Sequence, residues 1–499
     1  MVIGYGVHSI IRQAMQALVP GAKPVPPGTE YASVRELSEQ LARPGGMTSA
    51  DLIDFFLARI GTLNPQLNAV IELNPEALQV ALERDRERAA GAVRGPLHGI
   101  PVLLKDTLET KNMQTSAGAF GLVGDSAGND APIVQRLIEQ GAIILGKTNM
   151  SELAGFRGGD HPDGWSSRGG QTLNPYKHDA DVGGSSSGSA VALAAGFAPV
   201  AVGTETSGSI IVPAALNGVV GLKPSVGLLN RNGIIPASRR QDTPGPMARS
   251  VYDVALMLNA LAGGDAQDPY SLGAPSCVDY ALWLVPDVLK GKRIGYPATF
   301  AENGEKQPVV NSARFTEVLT VLRGQGAVLV PVDLRLAEAS GYKALLLADV
   351  KEELNTYLAK RTGLPAKSLS ELLRFNEDRD GTESDHQPVL KQVIASTLTP
   401  ELRETAWSTL IQDFRNSIDE PLHEHNLDVM VSDFETYSYF GVAAAGYPGI
   451  TVPCGTNEDG LPVSAYFYGT RWSEQILLEV AYGYEQAAQP VTRPVLEMP

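Results

Sequence analysis

The residues from 33 to 95 follow the hydrophobic and polar pattern of helices. Apolar side chains recur at helical spacing between 52 and 60. Thr48 and Asp51 stand just before them and resemble a capping box, in which each side chain accepts a hydrogen bond from the backbone of the other residue. The segment 33–95 is therefore predicted to be helical.

From residue 100 the pattern changes to short, uninterrupted apolar runs of the kind found in buried strands. These runs lie at 101–104, 142–145, 200–202, 219–222, 429–431 and 450–452. The first run ends abruptly at Lys105 and Asp106, so charged residues are expected at the end of a buried strand. Helical segments such as 134–140 separate the runs. This alternation predicts an α/β fold with a mixed β-sheet surrounded by helices.

One large domain is predicted to extend over residues 1–499. Residues 33–260 form a continuous α/β core, residues 265–425 form a more polar and largely helical part, and residues 426–499 return to the core. The segment from Ile10 to Val19 is predicted to be an amphipathic surface helix rather than a targeting signal. No apolar run reaches the roughly 18 residues that a membrane span needs, so we expect a soluble protein without a membrane partner.

Composition and charge narrow the class of protein further. An apolar fraction of 43% with 19% charged residues is typical of a globular chain and excludes a disordered one. The formal net charge of −16 disfavours nucleic acid and anionic membranes as partners. The two cysteines, Cys277 and Cys454, support neither a disulfide framework nor a clustered zinc site, and they indicate a reducing compartment such as the cytoplasm.

A Gly/Ser-rich segment at 183–189 runs directly into the small apolar residues 190–195. A flexible linker would continue with polar residues, whereas this segment opens a helix suited to close packing. A phosphate-binding loop would end in Gly-Lys-Ser/Thr, which is absent here, and the chain has no G-x-G-x-x-G motif. A site for a nucleophilic serine is the stronger interpretation.

One form of such a site is the nucleophile elbow of α/β-hydrolases. The segment 184–188 fits G-x-S-x-G and would make Ser186 the nucleophile of a histidine-dependent esterase or lipase. The histidines that follow are His386, His423 and His425, and the last 74 residues contain none. His423 and His425 are expected to be surface residues, so this alternative is the weaker one.

The other form joins three segments, PLHGIPVLLKD at 96–106, GGSSSGSA at 183–190 and GTETSGSIIVPAALNGVVGLKPS at 203–225. With them the sequence resembles the amidase signature family, whose members hydrolyse amides with a Ser, Ser, Lys triad. By position, the resemblance implies that Lys105 is the lysine, Ser185 the bridging serine and Ser209 the nucleophile. It also implies a cis peptide bond before Ser185.

The chemistry explains why these residue types recur together. A serine hydroxyl needs a base, and a lysine serves as that base only when it is neutral. Its ordinary pKa of about 10.4 must therefore be lowered, and the predicted position of Lys105 at the end of a buried apolar strand fits this need. Ser185 would relay the proton between Lys105 and Ser209. The backbone amides of Thr206, Ser207 and Gly208 are candidates for an oxyanion hole.

The segment 156–176 most resembles peptide amidases, which remove the C-terminal amide from peptides. We therefore expect a short-peptide or other small amide substrate, with a narrow leaving-group side near 116–118 and a wider acyl cleft past Trp165. No metal and no cofactor are expected. Three alternatives stay open: an aryl or fatty amide hydrolase of the same family, an amidotransferase A-type subunit, and a catalytically silent binding protein.

Overall fold

The fold is described from a computed structural model that covers residues 24–302, 305–335, 337, 339–378, 387–436, 438–490 and 493–496. The helix expected between residues 10 and 19 lies outside these residues. In chain order, the helices are α1 (Val34–Ala42), α2 (Ser49–Leu67), α3 (Ala77–Ala89), α4 (Pro132–Glu139), α5 (Ser187–Ala194), α6 (Ile211–Leu216), α7 (Val251–Leu261), α8 (Ala313–Gly324), α9 (Tyr342–Lys360), α10 (Leu369–Asp378), α11 (Pro388–Ala395), α12 (Pro400–Glu424), α13 (Ser438–Ala445) and α14 (Glu474–Ala488).

The strands are β1 (Val70–Leu73), β2 (Pro101–Lys105), β3 (Ile143–Thr148), β4 (Trp165–Ser166), β5 (Gly170–Gln171), β6 (Val200–Glu205), β7 (Val220–Lys223), β8 (Thr243–Ala248), β9 (Arg293–Glu302), β10 (Glu305–Pro308), β11 (Val328–Leu334), β12 (Val429–Asp433), β13 (Gly449–Thr456) and β14 (Pro462–Tyr468). All but β4 and β5 join one mixed sheet in the order β1-β3-β2-β6-β8-β7-β13-β14-β12-β9-β10, with β11 also paired to β9. Helices surround this sheet, which confirms the predicted α/β architecture.

Parallel pairing at the centre of the sheet sets the position of the site. Strand β2 runs parallel to both β3 and β6, and Leu104 is in register with Val202. The carboxyl ends of β2 and β6 therefore coincide, and the segments that follow them meet at one edge. Lys105, at the end of β2, comes to lie beside Thr204 near the end of β6.

Each predicted apolar run lies in or overlaps a strand of this sheet, and the capping box formed by Thr48 and Asp51 is present at the start of α2. Three features differ from the prediction. Strand β1 interrupts the helices of 33–95, because its residues pair with β3. The part at 265–425 is largely helical but also contributes β9, β10 and β11 to the sheet.

The third difference is β8, which lies between β6 and β7 although Pro244 and Pro246 disfavour a strand. Successive backbone N–H groups point to opposite edges of a strand, so prolines two positions apart remove donors along one edge only. The partners of Pro244 and Pro246 are Thr204 and Val202 of β6. Tertiary pairing thus overrides local propensity here.

Helix α5 is buried on all sides, and every residue from Ser187 to Ala194 is inaccessible to solvent or nearly so. Its small side chains allow close packing against β2, β3 and β6. The helix therefore anchors the Gly/Ser segment that precedes it inside the core. Within the described part of the chain, no helix combines the length and apolarity needed to cross a membrane.

Candidate active site

Lys105 ends β2 with its side chain fully buried. Its Nζ lies 2.8 Å from Ser185 Oγ and donates to the Thr204 carbonyl oxygen at 2.9 Å. Burial is the largest influence on the amine and lowers the pKa of Lys105 to about 7, although the negative charges of Glu205, Asp242 and Asp163 oppose this shift. A large fraction of Lys105 is therefore neutral near neutral pH, as a base requires.

Ser185 lies in the Gly/Ser segment, and only 2% of its surface is exposed. The peptide bond between Gly184 and Ser185 is cis, which confirms the expectation drawn from the resemblance. The Ser185 carbonyl oxygen accepts a hydrogen bond of 3.2 Å from the Ser151 N–H. A Cβ atom on Gly184 would stand 2.2 Å from Ser151 Oγ and 2.4 Å from Asp163 Oδ1, so a larger residue here would displace both side chains.

The turn that carries Ser209 is fixed from both sides. The Ser186 N–H donates to the Ser209 carbonyl oxygen at 3.0 Å, which joins this turn to the segment that holds Ser185. Gly208 has a φ of +80°, and a Cβ atom there would stand 3.0 Å from the Tyr439 ring. Glycine at position 208 therefore permits both the left-handed turn and the close approach of the ring.

Thr206, Ser207 and Gly208 directly precede Ser209 in this turn. The Thr206 hydroxyl donates to Asp242 Oδ1 at 2.6 Å, which holds the start of the turn. The backbone N–H groups of Ser207 and Gly208 make no hydrogen bond to the described residues. Ser209 itself is only 8% exposed, and unpaired amides beside a buried serine are candidate donors to an oxyanion.

Ser186, the alternative nucleophile, is fully buried and has an engaged hydroxyl. Its Oγ donates to the Thr204 carbonyl oxygen at 3.1 Å and accepts from the Thr204 N–H at 3.3 Å. His423 and His425 are exposed at the end of α12, as expected of surface residues, and His386 lies outside the described residues. The described residues thus do not form the exposed serine and histidine pair of a nucleophile elbow.

The turn at 116–118 is held beside Lys105 by a buried carboxylate. Asp106 accepts from the Ser116 hydroxyl at 2.5 Å and from the Gly118 N–H at 3.1 Å, and Arg168 forms an ion pair with it at 3.1 Å. Asp106 is fully buried and the Arg168 side chain is 9% exposed. The sequence motif contains Asp106, but nothing in the sequence indicated Arg168 as its partner.

A cleft of about 510 Å³ opens next to the site and reaches Thr204 and Thr206. The turn at 116–118 contributes Ala117 to its lining, and other walls come from the segment 231–237 and from α9. Trp165 is not among its lining residues. The Trp165 ring stacks on His161 at 3.7 Å, and Arg157 lies over it. The walls of this cleft thus come from the segment 231–237 and α9 rather than from Trp165.

Two carboxylates of the site were missed in the sequence. Asp242 holds Thr206, and burial raises the pKa of Asp242 to about 6. Glu205 accepts hydrogen bonds from the Ile210 and Ile211 N–H groups. The position of Glu205, a charged residue at the end of the apolar strand β6, could have indicated it. No sequence pattern around Asp242 indicated that residue. Among the described residues, no three His, Cys, Asp or Glu side chains form a group that could hold a metal ion.

The chain matches known amidases over most of its length. The family model Amidase matches residues 51–432. The probable amidase of Arabidopsis thaliana is 39% identical over 457 residues, which cover 88% of this chain and 87% of that protein. The native peptide amidase of Stenotrophomonas maltophilia superposes with a TM-score of 0.85 at 43% identity, covering 94% of this chain and 99% of that structure. The A-type subunit of a glutamyl-tRNA(Gln) amidotransferase from Acinetobacter baumannii is 33% identical over 480 residues, covering 91% and 95% of the two chains.

Proposed function

This chain belongs to the amidase family and is an amide hydrolase, and we propose that it acts through a triad of Lys105, Ser185 and Ser209. The observation that carries the proposal is the 2.8 Å separation of Lys105 Nζ and Ser185 Oγ inside a buried site. Burial supplies the neutral amine that a lysine base needs. No cofactor takes part in the proposed steps.

In the proposed reaction, Ser209 Oγ attacks the amide carbon and passes its proton to Ser185 Oγ, while the Ser185 proton moves to Lys105 Nζ. The tetrahedral oxyanion accepts hydrogen bonds from the backbone amides of Thr206, Ser207 and Gly208. When the C–N bond breaks, the proton returns through Ser185 to the departing amine. Water then attacks the acyl-enzyme by the same route and releases the acid.

We propose peptide C-terminal amides or similar small N-acyl amides as the substrates. The likeness to the Stenotrophomonas peptide amidase supports this class. The cleft beside Thr206 supports it too, because its walls combine apolar residues such as Ile235 and Leu354 with polar ones such as Asn232. Such a wall accommodates a bulky acyl group that carries further backbone amides. A small leaving group such as ammonia needs little room on the other side.

The substrate class is tested by comparing kcat/KM for peptide amides, internal peptide bonds, anilides and fatty amides. Peptide amides should be the best substrates, and internal peptide bonds should resist because their leaving amine carries a whole residue. A preference of more than about tenfold, or 1.4 kcal/mol, for anilides or fatty amides contradicts the proposed substrate but leaves the hydrolase chemistry intact.

A second candidate function is that of an ammonia-releasing component in an amidotransferase assembly. The likeness to the Acinetobacter protein over 91% of this chain favours it. Robust amide hydrolysis by the purified chain without partner or ATP supports the stand-alone enzyme. The absence of such turnover, together with its appearance on adding partner proteins, supports the assembly.

The triad is tested with a fluorophosphonate, which labels an activated serine covalently. Mass spectrometry should place the label on Ser209 in the native chain, and Ser209→Ala should abolish both label and turnover. Label on Ser186 would contradict the proposed triad. In addition, kcat/KM should rise from acidic pH with an apparent pKa near 7, because Lys105 acts only after losing its proton.

A further inference from the structure

Gln241 carries a fully buried side-chain amide that the proposed reaction does not use. Its Nε2 donates to the Thr206 carbonyl oxygen at 3.3 Å and to the Tyr342 hydroxyl oxygen at 2.8 Å. The same hydroxyl donates to Gln241 Oε1 at 3.2 Å. The amide therefore joins the turn before Ser209 to Tyr342, which is the first residue of α9.

The Thr206 carbonyl group that Gln241 holds belongs to the same peptide unit as the Ser207 N–H. This peptide bond is trans, and in a planar trans peptide the C=O and N–H bonds point in opposite directions. A hydrogen bond that holds the Thr206 carbonyl oxygen towards Gln241 therefore turns the Ser207 N–H away from Gln241. That N–H makes no hydrogen bond to the described residues, so it is available as a donor.

The Thr206 side chain is held from the same loop. Its hydroxyl donates to Asp242 Oδ1 at 2.6 Å, and Asp242 Oδ2 accepts the Ser238 N–H at 2.8 Å. The Ser238 hydroxyl in turn donates to Asp349 Oδ2 at 2.6 Å. Asp349 lies on α9 seven residues after Tyr342, so the two side chains share one face of that helix. Both the backbone and the side chain of Thr206 are therefore connected to α9.

Tyr342 is itself fixed by aromatic packing. Only 7% of its surface is exposed. Its ring packs against the rings of Phe440 on α13 and of Trp407 and Phe414 on α12, with centroid separations of 4.7, 5.6 and 6.3 Å. A ring packed among three others has little freedom to move, so its hydroxyl holds the Gln241 amide in one orientation.

We propose that Tyr342 and Gln241 are positioning residues, through which the helical part of the chain at 342–424 orients the Ser207 N–H towards the oxyanion. The inference rests on the proposed function, because it takes the backbone amides of this turn as the oxyanion hole. Such a donor acts on the charge that develops in the transition state. Loss of its orientation should therefore lower kcat and leave KM nearly unchanged.

Two variants remove this connection without adding a charge. Gln241→Met keeps the length of the side chain but has no donor, so kcat should fall by about tenfold, less than the loss expected when an oxyanion donor is deleted. Tyr342→Phe keeps the ring and its packing and removes one hydroxyl, so kcat should fall by about fivefold. Tyr447→Phe is the matched control and should keep the native kcat. Tyr447 is 5% exposed in the same apolar cluster as Tyr342, but its hydroxyl donates to Asp419 on α12 at 2.6 Å.

The measurements are kcat and KM for an N-acetylated dipeptide amide, and the inhibition constant of a peptidyl trifluoromethyl ketone. This ketone forms a tetrahedral adduct with an activated serine and places an oxyanion where the transition state has one. In Gln241→Met and Tyr342→Phe, the inhibition constant should rise by the same factor as kcat falls. A merely structural role would not produce this correspondence.

An unchanged kcat, a rise in KM alone, an inhibition constant that does not follow kcat, or an equal fall of kcat in Tyr447→Phe overturns the inference. Circular dichroism checks the folding of each variant. If Gln241→Met does not fold, Tyr342→Phe decides by the same criteria. A native chain that neither binds the ketone nor is labelled by a fluorophosphonate at Ser209 overturns the proposed function instead.

Discussion

Two ion pairs, one in the α/β core and one in the helical part at 342–424, differ sharply in burial. In the core, Asp106 is fully buried beside Arg168, whose side chain is 9% exposed. In the helical part, Lys391 pairs with Glu377 while 47% and 41% of their side chains are exposed. Removing the partner of a buried charge leaves that charge unpaired away from water, which costs much stability, whereas solvent and salt screen exposed pairs.

The two regions also contribute different parts of the site. The core holds the residues of the proposed triad, and the helical part supplies one wall of the cleft through α9, where Leu354 and Tyr357 lie. Tyr357 donates to Glu109 at 2.7 Å, and this bond ties the wall to the segment after β2. The core thus holds the proposed reactive residues, and the two regions together form the cleft that we propose for the substrate.

The largest expected effect is on activity and comes from replacing one titratable residue in each of the two regions. Lys105→Ala should lower kcat/KM by several orders of magnitude, because the members of a proton relay fail together. His425→Ala, an exposed change at the end of α12, should leave it nearly unchanged. Steady-state kinetics on one amide substrate measures both. More than about a tenth of native turnover in Lys105→Ala would break the contrast.

The second expected effect is on stability, when one ion pair from each region is removed. Arg168→Ala leaves Asp106 buried without its partner and should lower the free energy of unfolding by about 3 to 5 kcal/mol. Lys391→Ala removes an exposed pair of the helical part and should cost less than about 1 kcal/mol. Urea denaturation of both variants gives the two values. Equal costs would show that burial does not distinguish these pairs.

The smallest effect concerns the wall of the cleft. Thr356 is exposed on α9 and lines the cleft, so Thr356→Trp should fill space there and lower kcat/KM for bulky peptide amides by about tenfold. Small acyl amides and Ser209 labelling should change little. Thr320→Trp, an exposed change on α8 away from the cleft lining, is the matched control. An equal loss for small and bulky amides would place the effect outside the cleft.

Much of the candidate site could be predicted from the sequence, because its residues lie in or next to segments with a clear hydrophobic or Gly/Ser pattern. The apolar run of β2 predicts a buried strand, and Lys105 follows it directly. Glycine and serine at 183–189 similarly indicate a tight backbone segment before a small-residue helix. The chemistry of a lysine base then requires burial, which the structure provides.

What the sequence determined by itself is therefore the α/β class, the positions of the predicted strands along the chain and the set of reactive residue types. Tertiary structure alone decided that β8 pairs with β6 despite its prolines, that Arg168 neutralises Asp106, and that α9 forms a wall of the cleft. The physical reason is the distance along the chain over which each effect acts. Periodicity and capping act within a few residues, whereas burial, ion pairing and cleft shape arise from segments far apart in the chain.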